Sequence, residues 1–327
     1  MFKGKKVLVT GGTGMIGIPL VRMLIEQGAR VRSVSLDDAS RSHPDAEFLR
    51  LNLMQMDNCL KACEGMDFVF HLAGIKGSPA MTAAKPASFF VPTLTFSLNM
   101  MEAARQQRAG GYLFTSSIGV YAPAERFRED DVWSSFPSKN DWFAGWAKRM
   151  GELQAQAYAI EYGWKNIVIV RPANVYGPYD NFDAANAMVI PSLIRRALDG
   201  EDPLVIWGDG SPLRDFIHAR DVARGMLIAA ERGTGQTLNL GSGKGTSIKQ
   251  VSEAITVNLE RKPKIVWDKS KPMGDQIRLM DVTRAQNLGF CASITLQEGI
   301  RETMDWYRSN KDRLHDRYNV FTDGVVT

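Results

Sequence analysis

The chain has 327 residues, with interspersed charges of both signs and a formal net charge of +4. This length buries the core of one large α/β unit or two closely joined lobes, and it excludes a small stapled domain. The mild basic excess suits an anionic small molecule and draws no stripe for nucleic acid, while three cysteines, Cys59, Cys63 and Cys291, are too few for a disulfide framework.

In chain order, MFKGKKVLVTGG runs directly into strand formers, with no apolar segment long enough for a signal peptide or a membrane span. A soluble cytoplasmic protein without a membrane partner is the expectation. KKVLVT reads as a strand, MIGIPLVRMLIEQG as a helix ending at Gly28, RVRSVSL as the next strand and AEFLRLNL as another. A helix through DNCLKACEG carries Cys59 and Cys63, which read as packing residues, so no metal is expected. MDFVFHLAG, the helix TLTFSLNMMEAARQQ, the strand GYLFTSS, the helix AGWAKRMGELQAQAYAIEYG and the strand NIVIVRPANVYG complete the first half. Repeated strand-helix-strand crossovers predict a parallel sheet covered on both faces, in an α/β doubly wound fold. After about residue 178 the loops lengthen and prolines increase, which predicts a domain over 1–177 and a smaller α/β lobe over 178–327. TLNLGSG suggests that 215–242 returns to the first domain. The closing HDRYNVFTDGVVT reads as loosely attached.

Between the first strand and the first helix, VLVTGGTGMIG places Gly11, Gly14 and Gly17. Glycines there permit a sharp turn, close approach of backbone N–H groups to a pyrophosphate, and tight packing of helix on sheet. The helix N-terminus adds unpaired donors and partial positive charge. Asp37, twenty residues beyond Gly17, is positioned to accept hydrogen bonds from the adenosine ribose hydroxyls and to repel a 2′-phosphate. The pattern favours NAD, with Arg32 and Arg41 close enough in sequence to keep NADP as the alternative.

The motifs TGGTGMIG, FHLAG, FTSSIGVY, WAKRMGE, RPANVYGP, WGDGSPLRDFIHARD and GDQIRLMDVTRAQNLGF together resemble the extended short-chain dehydrogenase/reductase family, in its nucleotide-sugar epimerase, dehydratase and ketoreductase group. The resemblance spans nearly the whole chain and implies a Rossmann-type domain, a nicotinamide cofactor, a nucleotide-diphosphate sugar and hydride transfer at sugar C4. It assigns Thr13, Met15 and Ile16 with the three glycines to the cofactor, together with Asn52, Leu53, Leu72, Ala73 and Pro172. It also implies that Ser117 hydrogen-bonds the reacting sugar oxygen and that Lys148 holds the nicotinamide ribose. Lys76, Asn174, Val189, Arg214 and Arg278 fall at substrate positions, the arginines suiting phosphate because the planar guanidinium binds oxygens in pairs. The helices TLTFSLNMMEAARQQ and AGWAKRMGELQAQAYAIEYG match the pair through which relatives form homodimers. Dehydratases of the group carry an Asp-Glu pair where this chain has Ile118 and Gly119, so an epimerase is the leading expectation, with a 4-dehydrogenase or ketoreductase behind it.

Two positions depart from the family pattern: Asn52 stands where an acid often follows the third strand, its amide still able to hydrogen-bond adenine, and the larger departure lies before Lys148. A tyrosine normally stands four residues before the lysine, on the same helix face, and its phenolate takes the proton from the sugar hydroxyl. Here that residue is Ala144. Three accounts stand open at this point: another acceptor, with Tyr121, Tyr179 or a water held by Lys148 as candidates; a binding protein with little or no turnover; or an alanine introduced to trap a complex.

Overall fold

The structure, a computed structural model, describes residues 1–271, 274–319 and 323. Fourteen strands occur among them: β1 (Lys6–Thr10), β2 (Arg30–Ser35), β3 (Glu47–Arg50), β4 (Phe68–His71), β5 (Gly111–Thr115), β6 (Arg126–Phe127), β7 (Ile167–Pro172), β8 (Asn174–Tyr176), β9 (Leu204–Trp207), β10 (Leu213–His218), β11 (Thr237–Leu240), β12 (Gly245–Ser247), β13 (Ile265–Asp268) and β14 (Ile277–Met280). The helices are α1 (Gly17–Glu26), α2 (Met56–Cys63), α3 (Pro79–Ala84), α4 (Pro86–Gln106), α5 (Trp142–Glu161), α6 (Val189–Leu198), α7 (Ala219–Arg232), α8 (Ile248–Thr256), α9 (Thr283–Asn287) and α10 (Leu296–Asn310).

Seven strands form one sheet in the order β11-β7-β5-β4-β1-β2-β3, with every neighbouring pair parallel. Alternation along each strand sends side chains to opposite faces. Val7, Val9, Phe68, Phe70, Leu113, Val168 and Val170 meet Leu20, Val21 and Leu24 of α1 and Val222, Ala223 and Met226 of α7. Leu8, Val69, Tyr112, Phe114 and Ile167 meet Cys59 and Ala62 of α2, Phe96 and Met100 of α4 and Ala155 of α5 on the other face. The result is a Rossmann-type α/β sandwich. Strand order reverses between β1 and its neighbours β2 and β4, and such a fold opens a crevice at that switch, outside the strands' carboxyl ends.

The stretch NIVIVRPANVYG is not one strand. Pro172 still pairs with Leu240 in the large sheet, but Asn174–Tyr176 pairs with Phe216–His218 of β10 in a separate sheet, although Ile217 of β10 still packs into the core beneath α1 and α7. The chain therefore passes from the large sheet to a second one at Ala173, carrying adjacent residues into the cleft. A third core, in which α6, α8 and α10 pack through Leu193, Ile194, Val251, Ile255, Ile300 and Met304, supports the second lobe. Helix α4 starts at Pro86, earlier than its apolar periodicity suggests, and runs through Pro92. The segment after α10 returns across the first domain, where the Tyr318 N–H donates to Asp37 Oδ1 at 2.8 Å. This contact fixes part of a segment whose sequence reads as loosely attached; residues 320–322 and 324–327 lie outside the described residues. No helix among the described residues is long and apolar enough to cross a membrane.

Candidate active site

The crevice opens into a cavity of about 820 Å³ walled by both lobes. At one end is the turn after β1. Gly11 has φ +68°, and a Cβ there would lie 3.0 Å from the Ala73 nitrogen. A Cβ on Gly17 would sit 2.1 Å from the Gly11 carbonyl oxygen, so any larger residue would force the turn apart. Helix α1 starts here with no side-chain cap and no acid in its first turn. The Ile18 and Leu20 N–H groups are already bonded to the Gly14 and Ile16 carbonyls and Pro19 has none, so the backbone N–H groups of the turn ahead of the helix, with the helix's partial positive charge, are what a pyrophosphate would meet, and the residues present fit a dinucleotide.

Gly11, Thr13, Gly14, Met15, Ile16, Gly17, Asp37, Asn52, Leu53, Leu72, Ala73, Lys148 and Pro172 all line the cavity. Asp37 is almost fully enclosed; Thr13 Oγ1 donates to its Oδ2 at 2.6 Å, and Arg41 Nε is 3.6 Å from the same oxygen. Arg32 instead turns to Glu47 at 2.9 Å and to carbonyls at the end of α2. Of the two arginines near Asp37 in sequence, only Arg41 reaches it. Cys59 and Cys63 are buried against the sheet, and burial pushes both thiols up, Cys59 to about 12.

In the middle of the cavity Ser117 caps the turn Ile118–Val120, accepting the Gly119 N–H at 3.0 Å. Lys148 lies opposite on α5, donating from Nζ to the Thr115 carbonyl at 2.8 Å, and burial pulls its pKa down to about 8. Ala144, one turn before it, also faces the cavity. Toward the second lobe stand Lys76, Asn174, Val189 and Arg278. Lys76 Nζ pairs with Asp180 at 2.7 Å, and Asn174 Nδ2 donates to the Asp215 carbonyl at 2.9 Å. Arg278 Nη2 is 2.7 Å from Asp141 Oδ2, and its Nε is 3.8 Å from Asp275.

Three sequence expectations change here. Tyr121 is not on the cavity wall: it is enclosed, donates to Asn239 at 2.7 Å and accepts from Arg171 at 2.9 Å, and burial raises its pKa to about 12. A hydroxyl committed to a buried network cannot receive a proton from a ligand in the cavity, so Tyr121 is no substitute for the missing tyrosine. Tyr179 packs its ring 5.0 Å from that of Trp306, also off the wall. Arg214 stands behind the wall, where burial, then the neighbouring Arg278 charge, lower its pKa. The cavity includes residues that the motifs did not indicate, among them Asp141, Asp180, Arg317 and Tyr318. Asp141 had a readable signal, since it lies three residues before Ala144 at a helix start; the others had none.

Residues 7–241 match the model of the NAD dependent epimerase/dehydratase family. The chain belongs to that family. It is 31% identical to GDP-L-fucose synthase 1 of Arabidopsis thaliana, over 94% of each chain. It is also 31% identical to a dTDP-4-dehydro-6-deoxy-D-allose reductase of Streptomyces, over 94% of this chain and 98% of the other. Among solved structures, UDP-glucose 4-epimerase of Thermotoga maritima with UDP-glucose superposes with a TM-score of 0.80 at 28% identity, covering 94% of this chain and 99% of that one. The protein is thus a nucleotide-sugar enzyme of the extended short-chain dehydrogenase/reductase type that uses a nicotinamide cofactor.

Proposed function

We propose that this family member binds NAD and a nucleotide-diphosphate sugar and moves a hydride at sugar C4, with epimerisation as the net reaction. One observation carries the reading: a single cavity holds the glycine turn and Asp37 at one end, Ser117 and Lys148 in the middle, and Lys76, Asn174, Val189 and Arg278 toward the second lobe. The turn and α1 N-terminus would hold the pyrophosphate, Asp37 the adenosine ribose, and Lys148 the nicotinamide ribose. Bound nicotinamide supplies a reversible hydride acceptor. Ser117 orients the sugar oxygen, and Arg278 answers the diphosphate. The carboxylate of Asp37 supports NAD over NADP, because a 2′-phosphate beside it meets like charge.

Two relatives, a GDP-L-fucose synthase and a 4-dehydro-sugar reductase, favour reduction of a 4-keto sugar as the second reading. Incubation with NAD and a panel of UDP-, GDP- and dTDP-sugars separates the outcomes. A C4 epimer without net reduced nicotinamide supports the proposal, stoichiometric reduced nicotinamide indicates a dehydrogenase, and oxidation of reduced cofactor by 4-keto sugars alone indicates a reductase. Tight binding without turnover of any sugar overturns the enzymatic reading. A homodimer through α4 and α5 forms part of the proposal, supported by exposed Val91, Leu153 and Ile160 on these helices.

A further inference from the structure

We propose that Asp141 is the proton acceptor of this enzyme, held by Arg278 until the diphosphate of the substrate takes the arginine. The inference rests on the hydride-transfer reading above and supplies the group that Ala144 lacks. Three aspartates line the cavity, Asp37, Asp141 and Asp180. Asp37 belongs to the adenosine end, and Asp180 is bound by Lys76 and by the Asn181 N–H. Asp141 ends the turn Lys139–Asp141 immediately before α5, so it stands one helical turn ahead of Ala144.

Its neighbours define where the carboxylate lies. A Cβ at Gly119 would be 3.4 Å from Asp141 Cγ and 3.4 Å from Ser117 Oγ. The carboxyl and the hydroxyl therefore approach the same side of Gly119, where no side chain separates them. A sugar hydroxyl positioned by Ser117 comes within reach of Asp141. Asp141 Oδ2 is buried and accepts no aligned hydrogen bond among the described residues; its near partner is the Arg278 guanidinium at 2.7 Å. A diphosphate offers that guanidinium two negative groups in bidentate geometry, a better partner than one carboxylate. Transfer of Arg278 to the diphosphate leaves Asp141 facing the sugar.

The chemistry balances. The sugar hydroxyl gives its proton to the Asp141 carboxylate as the C4 hydride passes to oxidised nicotinamide, and the C–O bond becomes a carbonyl. Return of the hydride draws the proton back from the Asp141 carboxylic acid, regenerating the alcohol and the carboxylate.

Asp141→Asn keeps size and polarity but cannot take the proton. Its turnover is expected to fall about 10²- to 10⁴-fold, the usual contribution of a positioned acid-base group. Because Arg278 loses its closer ionic partner and keeps only Asp275 at 3.8 Å, the same variant is expected to bind uridine or guanosine diphosphate several-fold more tightly in a calorimetric titration without cofactor. The double variant Asp141→Asn with Ala144→Tyr is expected to recover turnover through a phenol beside Lys148. Turnover by Asp141→Asn within threefold of the parent overturns the acceptor role alone, and diphosphate binding that is unchanged or weaker overturns the hold on Arg278. A parent enzyme that turns over no nucleotide sugar overturns the functional reading and the acceptor with it.

Discussion

Lys148 is a cation that the fold encloses at an energetic cost. Burial lowers its pKa from 10.5 to about 8, so between these values the unfolded chain holds a proton that the folded chain has released. Stability from this group therefore rises as pH climbs from 8 toward 10.5, and at neutral pH the charged lysine weakens the fold by up to roughly 3 kcal/mol. Lys148→Met is expected to melt higher than the parent at pH 7, with the difference shrinking toward pH 10, while cofactor binding is lost. Paired thermal melts at pH 7 and pH 10 check the sign. A different balance holds at Arg171 and Glu152, both 2% exposed and joined through Nε at 2.9 Å and Nη2 at 2.6 Å. Removing one partner strands a buried charge, so Glu152→Ala should cost about 3–5 kcal/mol in denaturant unfolding. Glu152 also accepts from Ser116, next to Ser117, so activity should fall with stability.

Helix α5 carries Ala144 and Lys148, and its height above the sheet is set by Gly151. A Cβ there would lie 2.3 Å from the Phe114 ring, the same ring beneath the Lys148 ammonium at 5.1 Å. Gly151→Ala should lift the helix, lower stability by about 1–3 kcal/mol and weaken cofactor binding more than a surface change would. Unfolding curves and a cofactor titration read the two effects separately. On the same helix Leu153 is 44% exposed and Ile160 78% exposed. If a second copy covers this face, Ile160→Lys with Leu153→Lys turns a dimer into a monomer in sedimentation, whereas a parent that already sediments as a monomer removes the homodimer proposal. The helix itself was legible as a periodic segment. Its closeness to β5 was not, because only the packed sheet brings Phe114 under Gly151.

Across the molecule, Asp37 ties distant parts of the chain together: Thr13 after β1, Arg41 and the Tyr318 N–H from the other end of the sequence. Asp37→Ala should weaken nicotinamide-cofactor binding and also release the segment around Tyr318, giving faster cleavage there in limited proteolysis; an unchanged digestion pattern would show that this contact does not hold it. The doubly wound sheet, the glycine turn with its acid, and the family itself were determined by the sequence alone. Each depends on contiguous signals: strand and helix periodicity, and glycines whose spacing suits one turn and one phosphate cradle. Tertiary structure alone decided that Tyr121 is locked between Asn239 and Arg171, that Arg32 turns away while Arg41 stays, and that Asp141 meets Arg278 beside Ser117. These outcomes depend on which side chains meet after residues far apart in sequence are packed together, and neither periodicity nor spacing encodes such a meeting. The empty tyrosine position and the aspartate three residues before it were both visible in the sequence, but the meeting of that aspartate with Arg278 was decided only by the packed fold.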